Sequence, residues 1–136
     1  MKEYVCGFLL SEDLNQVALI RKNRPEWQAG SLNGIGGKVE HCEDALGAMV
    51  REFEEETGVH VGCWRLVCKH EWDTKARVWF FTAVGDVSGL RTLTDEQVGV
   101  YQVSSLPTDT ISNIPWLVPM AIEALRRGCS YDVCER

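Results

Sequence analysis

The sequence has no apolar run long enough to cross about 30 Å of hydrocarbon. Nor does it have a basic region followed by an apolar stretch, since Met1-Lys2-Glu3-Tyr4 leads straight into strand-like sequence. The expectation is a soluble, cytoplasmic protein without a membrane partner. Positive charge is also short. The 14 Lys and Arg stand against 20 Asp and Glu, a formal charge of −6, so no cationic surplus can displace counterions from a phosphate backbone. Duplex DNA or RNA is not an expected partner. With only 4 prolines, no biased tract, 45% hydrophobic and 25% charged residues, disorder is excluded as a description of the whole chain. Cysteines number 6, and with a cytoplasmic protein expected they read as reduced thiols. Cys63/Cys68 and Cys129/Cys134 each enclose four residues. That is not the two-residue spacing of a zinc knuckle, and no histidine sits at ligand spacing, so the thiols are expected to be small buried apolar residues. The 136 residues suit one domain, which typically holds roughly 100–150. The chain is read as a single domain over 1–136.

Apolar runs at 4–10 and 16–21, separated by the polar Ser11-Glu12-Asp13-Leu14-Asn15, predict a hairpin. A polar loop with Pro25 and Trp27 then reaches Gly30-Ser31-Leu32-Asn33-Gly34-Ile35-Gly36-Gly37. Its closely spaced glycines are expected to prevent regular structure and to let backbone approach a ligand. From Asp44 to Thr57 the period turns helical, with Leu46, Met49, Val50 and Phe53 as the buried stripe and Gly58 as the stop. Runs at 64–68, 77–84 and 98–103 read as sheet. Pro115 to Arg127, with Leu117, Met120, Ala121, Ala124 and Leu125 on one side, reads as a closing amphipathic helix.

The chemistry gathers on the first helix. Taking Leu46 as zero and advancing about 100° per residue, Glu55, Glu52 and Glu56 fall near 180°, 240° and 280°. Three carboxylates thus share one face, and with Glu54 they are self-repelling, at about 0.2–0.5 kcal/mol per like-charged i,i+3 or i,i+4 pair. Something should offset that repulsion. A solvated acidic face is one reading. The sharper one is a hard divalent cation, because magnesium takes oxygen ligands from a few carboxylates and shares its remaining shell with water and phosphate. The glycine loop just before the helix can bring backbone groups and Lys38 beside the same face, so that loop and acids form one site.

Gly37, five residues, Glu43, seven residues, then Arg51-Glu52-Phe53-Glu54-Glu55-Glu56-Thr57-Gly58-Val59 resembles the Nudix box. His41-Cys42 stand where many members carry Pro-Gly, in a variable part of the box. The resemblance implies an α/β/α sandwich, with a mixed β-sheet between helices, and hydrolysis of a nucleoside diphosphate linked to another group. By position it implies Glu52, Glu55 and Glu56 as metal ligands with the Gly37 carbonyl nearby, Mg2+ as the ion, and Mn2+ able to substitute. The resemblance further implies that Glu52 holds the ion that activates or orients water. Arg51 is either the residue that orients a catalytic carboxylate or an ordinary helix ion pair. Glu43 either supports the loop-helix junction or stabilises the first turn through the helix dipole. Many members draw a further acid from a later loop. Here Glu96 is preferred over Asp95 as the general base, against the reading that both are loop solubilisers.

The stretch from Gly30 to Val39 looks like the MutT-type branch, which acts on nucleoside triphosphates and includes enzymes that clear oxidised purine forms. The implied partner is a small-molecule nucleotide, cleaved to monophosphate and pyrophosphate. In that branch asparagines near Asn33 and Asn113 contact the base, and an amide offers both donor and acceptor to a purine edge. The alternatives are a turn residue for Asn33 and a helix-capping region for Asn113. Trp27 and Trp116 either stack on a base or pack under loops. His41, His60 and His70 are given no role. A Nudix hydrolase of a nucleotide sugar or dinucleotide is the enzymatic alternative. A non-catalytic nucleotide sensor is the third, and the intact Glu52, Glu55 and Glu56 argue against it. Oligomeric state is not legible, and a homodimer is compatible with the sequence.

Overall fold

The computed structural model describes residues 1–135. The first apolar run forms β1 (Lys2–Leu10) and the second β2 (Gln16–Arg21), antiparallel with Leu10 opposite Val17. Ser11 closes the turn between them by donating its hydroxyl to Asp13 at 2.7 Å and accepting the Gln16 N–H at 2.9 Å. The predicted hairpin is present.

The glycine-rich stretch corrects the expectation of irregular structure. It forms two short strands, β3 (Leu32–Asn33) on β2 and β4 (Ile35–Lys38) antiparallel to β1, with Val5 opposite Gly37 and Cys6 opposite Gly36. The missing side chains are what allow this approach. A Cβ on Gly36 would lie 1.9 Å from the Val5 carbonyl oxygen, so the glycine is needed for pairing.

The remaining strands are β5 (Arg65–Trp72), β6 (Ala76–Val84), β7 (Val98–Gln102) and β8 (Tyr131–Glu135). They complete an 8-stranded sheet in the order β3-β2-β1-β6-β5-β8, with β4 also on β1 and β7 also on β2. Because β1 runs parallel to β6 and β5 parallel to β8 while the other pairs are antiparallel, the sheet is mixed. Strand β8 was not anticipated. Its sequence Tyr131-Asp132-Val133-Cys134 is short and half polar, and its existence depends on the distant edge of β5.

Two helices cover the two faces. Helix α1 (Ala45–Thr57) starts where the Asp44 side chain accepts the Gly47 N–H at 2.7 Å, and it ends at Gly58, whose φ of 77° is readily adopted without a side chain. Its inner face is Ala48, Met49, Phe53 and Thr57, which shifts the predicted stripe. Leu46 is 42% exposed and Val50 only half-buried. Met49 sets the rotation by filling the space that Gly7 leaves open, where a Cβ would come within 2.5 Å of its terminal methyl. Helix α2 (Ile114–Arg127) buries Ile114, Leu117, Val118, Ala121 and Ala124.

Alternation along β1 sends Val5 and Leu9 toward α1, and Cys6, Phe8 and Leu10 toward α2. Each face of the sheet therefore has its own apolar core, and the architecture is the expected α/β/α sandwich. The cysteines divide. Cys6 and Cys68 are buried, with burial pushing their thiols up to about 12 and about 11. Cys42, Cys63 and Cys134 are exposed and Cys129 is partly so, which corrects the expectation of uniformly buried thiols.

Candidate active site

Arg51 organises the junction of β4, the following loop and α1. Its Nε donates to Glu43 Oε2 at 2.8 Å and its Nη2 to Glu43 Oε1 at 2.9 Å, the two-pronged geometry in which guanidinium and carboxylate interact most strongly. Nη2 also reaches the Lys38 carbonyl at 3.0 Å, while Nη1 reaches Glu52 Oε1 at 2.9 Å and Glu55 Oε2 at 3.3 Å. Glu43 accepts the Glu40 N–H at 3.0 Å as well. Arg51, followed by that N–H, holds the Glu43 carboxyl down at about 2. One cation thus joins the loop to the helix and offsets much of the repulsion among the acids. Its i,i+4 contact with Glu55 is an ordinary helix pair, and its contacts with Lys38, Glu43 and Glu52 go beyond one. The loop itself bends at Cys42, where φ is 63°, a conformation more readily taken by glycine.

Glu52 lies over the bare Cα of Gly37, where a Cβ would come within 2.5 Å of its carboxylate. Burial pushes the half-buried Glu52 up against the pull of Arg51, with Glu55 and Glu56 adding repulsion. Glu56, also half-buried and raised chiefly by burial, accepts the Thr94 hydroxyl at 2.8 Å and faces both Glu96 and Lys22. Glu55 is exposed, and Glu54 turns aside to His60 Nδ1 at 3.0 Å. Among the described residues no three His, Cys, Asp or Glu side chains close on a common point. The donor set still fits a hard divalent cation. Carboxylate oxygens are its preferred ligands, two of the carboxylates are partly stripped of water, and the glycine leaves room beside one of them.

The structure brings Glu96 to the same flank but occupies its oxygens. Glu96 is 4% exposed, accepts the Lys22 ammonium at 3.0 Å and the Asn23 N–H at 2.7 Å, and its own N–H donates to Thr94 Oγ1 at 3.2 Å. Burial pushes its carboxyl up, but the Asn23 N–H and Lys22 outweigh it and hold the group below its ordinary value. A carboxylate so engaged is a weak proton acceptor, and the geometry suits it to fixing Lys22 and the chain after β2. Asp95 instead pairs with Arg24 at the surface.

The base-reading candidates lie on another part of the fold. Asn33 sits on β3, where its Nδ2 donates to Gln28 Oε1 at 3.0 Å and its Oδ1 accepts the Gly34 N–H at 2.8 Å and the Cys6 thiol at 3.7 Å. Asn113 stands at the start of α2 but makes no capping bond, and its Oδ1 is buried without a hydrogen-bond partner among the described residues. Their segments meet through the Leu32 N–H on Asp109 and the Ile111 N–H on Leu32, both at 2.9 Å. Trp27 is 72% exposed and Trp116 partly so, so Trp27 does not pack under a loop. Trp116 tilts against His70, which stacks on Trp72 at 3.8 Å. Lys38 is exposed at the end of β4.

Lys22, Gln28 and Thr94 were missed in the sequence. Each lies in a polar stretch with no period; nearness in sequence to Asn33 marked Gln28 and nearness to Glu96 marked Thr94, while Lys22 carried no local signal.

The family model for the NUDIX domain matches residues 2–124. The chain belongs to the Nudix family and is a pyrophosphohydrolase by class. Its fold is shared by MutT as studied from Aliivibrio salmonicida and Vibrio cholerae, at 23% identity over 90% of this chain and 98% of that one, with a TM-score of 0.71. An ADP-ribose pyrophosphatase from Streptococcus suis is similar at 18% identity over 98% of both chains, TM-score 0.73. The NUDIX domain of Shewanella oneidensis NrtR, complexed with ADP ribose, is similar at 17% identity over 90% of this chain and 87% of that one, TM-score 0.74. No curated protein matches the sequence.

Proposed function

We propose that this Nudix hydrolase works as one domain over 1–136 in the cytoplasm, and that with magnesium, or manganese in its place, it splits a (deoxy)nucleoside triphosphate into monophosphate and pyrophosphate. Oxidised purine triphosphates are within the proposed class. The reading is carried by Glu52, a half-buried carboxylate set against the open Cα of Gly37 and held by Arg51.

Attack on a phosphoanhydride needs an in-line water, neutralised phosphate oxygens and a proton acceptor, and little covalent chemistry from the protein. Glu52, Glu55 and Glu56, with the Gly37 backbone, would hold the divalent ion, which when bound neutralises phosphate charge and acidifies water. Arg51 fixes the Glu52 carboxylate so that one oxygen is committed to the guanidinium and the other is left for ligation or for orienting water. Lys38 meets phosphate from the end of β4. Glu96 acts through Lys22, holding that cation beside Glu56. Asn33, oriented by Gln28, and Asn113, with its unpaired Oδ1, read the base edge.

A second reading, hydrolysis of ADP-ribose or a related nucleotide sugar or dinucleotide, is favoured by the likeness to the Streptococcus suis and Shewanella oneidensis structures. Phosphorus NMR of the products separates the two. Pyrophosphate and a monophosphate from a purine triphosphate support the first, and turnover confined to ADP-ribose, a nucleotide sugar or a dinucleotide establishes the second.

A further inference from the structure

Thr94 lies outside the box and in a loop without regular structure, yet it links the Glu56 carboxylate to the backbone of Glu96. Its hydroxyl donates to Glu56 Oε2 at 2.8 Å, and Thr94 Oγ1 in turn accepts the Glu96 N–H at 3.2 Å. Just before this contact the loop is fastened to the end of α1. The Arg91 N–H reaches the Thr57 carbonyl at 3.0 Å and the Leu93 N–H reaches the Glu56 carbonyl at 3.3 Å. Beyond Thr94, Glu96 is anchored to Lys22 and the Asn23 N–H. Glu56 therefore meets a hydroxyl whose backbone is tied to its own helix and to the strand end at Lys22.

We propose that Thr94 is a positioning residue for metal binding, holding one oxygen of Glu56 so that the other faces the ion. The inference rests on the reading of Glu56 as a ligand. The physical reason is orientational: a glutamate carboxylate rotates freely about its last bond, and a single fixed hydrogen bond removes most of that freedom before the ion arrives. Groups that orient a ligand in this way typically contribute about 10–100-fold in metal affinity.

The test is calorimetric titration of the full chain with MnCl2 and with MgCl2, without nucleotide, on wild type, Thr94→Val, Thr94→Ser, Glu56→Gln and the Thr94→Val/Glu56→Gln double variant. Thr94→Ala replaces Thr94→Val where circular dichroism shows that the valine variant does not fold. Thr94→Val should weaken binding by about tenfold or more, and Thr94→Ser, which keeps the hydroxyl, should stay within about threefold of wild type. The double variant should bind no more weakly than Glu56→Gln alone, because a hydroxyl that acts through Glu56 has nothing left to orient. Loss in Glu56→Gln with wild-type affinity in Thr94→Val overturns the role of Thr94 and leaves the ligand intact. Equal, additive losses overturn it too. Unchanged affinity in Glu56→Gln removes Glu56 as a ligand and the proposal with it.

Discussion

Arg51 and Glu43 meet through two nearly equal hydrogen bonds, 2.8 and 2.9 Å, across the boundary between the loop and α1. The pair has a pH signature. The folded-state pKa of Glu43, about 2, lies below its ordinary value of 4.5, so the stabilisation is fully present above the ordinary value and is lost as pH falls toward the folded one. In urea unfolding, wild type should exceed Glu43→Gln at pH 6, and the gap should close between pH 4.5 and 2. A gap that stays constant over that window contradicts the assignment.

Gly36 and Gly37 are adjacent but should fail differently. A Cβ on Gly36 meets the Val5 backbone at 1.9 Å, whereas one on Gly37 meets only the movable end of Glu52 at 2.5 Å. Gly36→Ala should destabilise the fold by about 3 kcal/mol or more. Gly37→Ala should remain folded by circular dichroism while turnover falls by about 10²-fold, the cost of a site group displaced by an ångström. Normal turnover in folded Gly37→Ala would show that the position of Glu52 is not critical.

Glu96→Gln separates a positioning carboxylate from a base. Glutamine keeps an oxygen for the Asn23 N–H but loses the charge that holds Lys22. Turnover should fall by about tenfold, short of the 10²–10⁴-fold expected when a general base is removed. A loss of about 10³-fold would restore Glu96 to the role of base.

The two asparagines should separate stability from selectivity. Asn33→Ala strips partners from Gln28 and the Gly34 N–H and should cost about 1 kcal/mol in urea unfolding. Asn113→Ala removes an oxygen that is already unpaired, so stability should hardly change. Both should shift the purine-to-pyrimidine ratio of kcat/KM, by about tenfold, if they read the base. An unchanged ratio in both variants removes the purine pocket and moves the nucleotide-sugar or dinucleotide reading ahead.

Local regularities were legible in the sequence, and contacts between distant segments were not. The period from Asp44 to Thr57 and the stop at Gly58 located α1, and the acids on one turn of it pointed to the candidate site. The exposure of Leu46 was hidden because the helix rotates to let Met49 fill the space over Gly7. Strand β4 was hidden because its glycines read as a loop when considered alone, yet opposite Val5 and Cys6 they are what permits pairing. The contacts that complete the site, Lys22 with Glu96 at a separation of 74 residues and Thr94 with Glu56 at 38, come from topology. No period in the chain encodes them.

We propose that a divalent ion held by the acids of α1 drives cleavage of a nucleoside triphosphate. The most direct measurement is pyrophosphate release from a purine triphosphate by wild type and Glu52→Gln, before and after exhaustive chelation and after magnesium is restored. The expected result is release by wild type that vanishes on chelation and returns with magnesium, while Glu52→Gln loses turnover far more than it changes KM. Full turnover by the chelated enzyme, or undiminished turnover by Glu52→Gln, would contradict it.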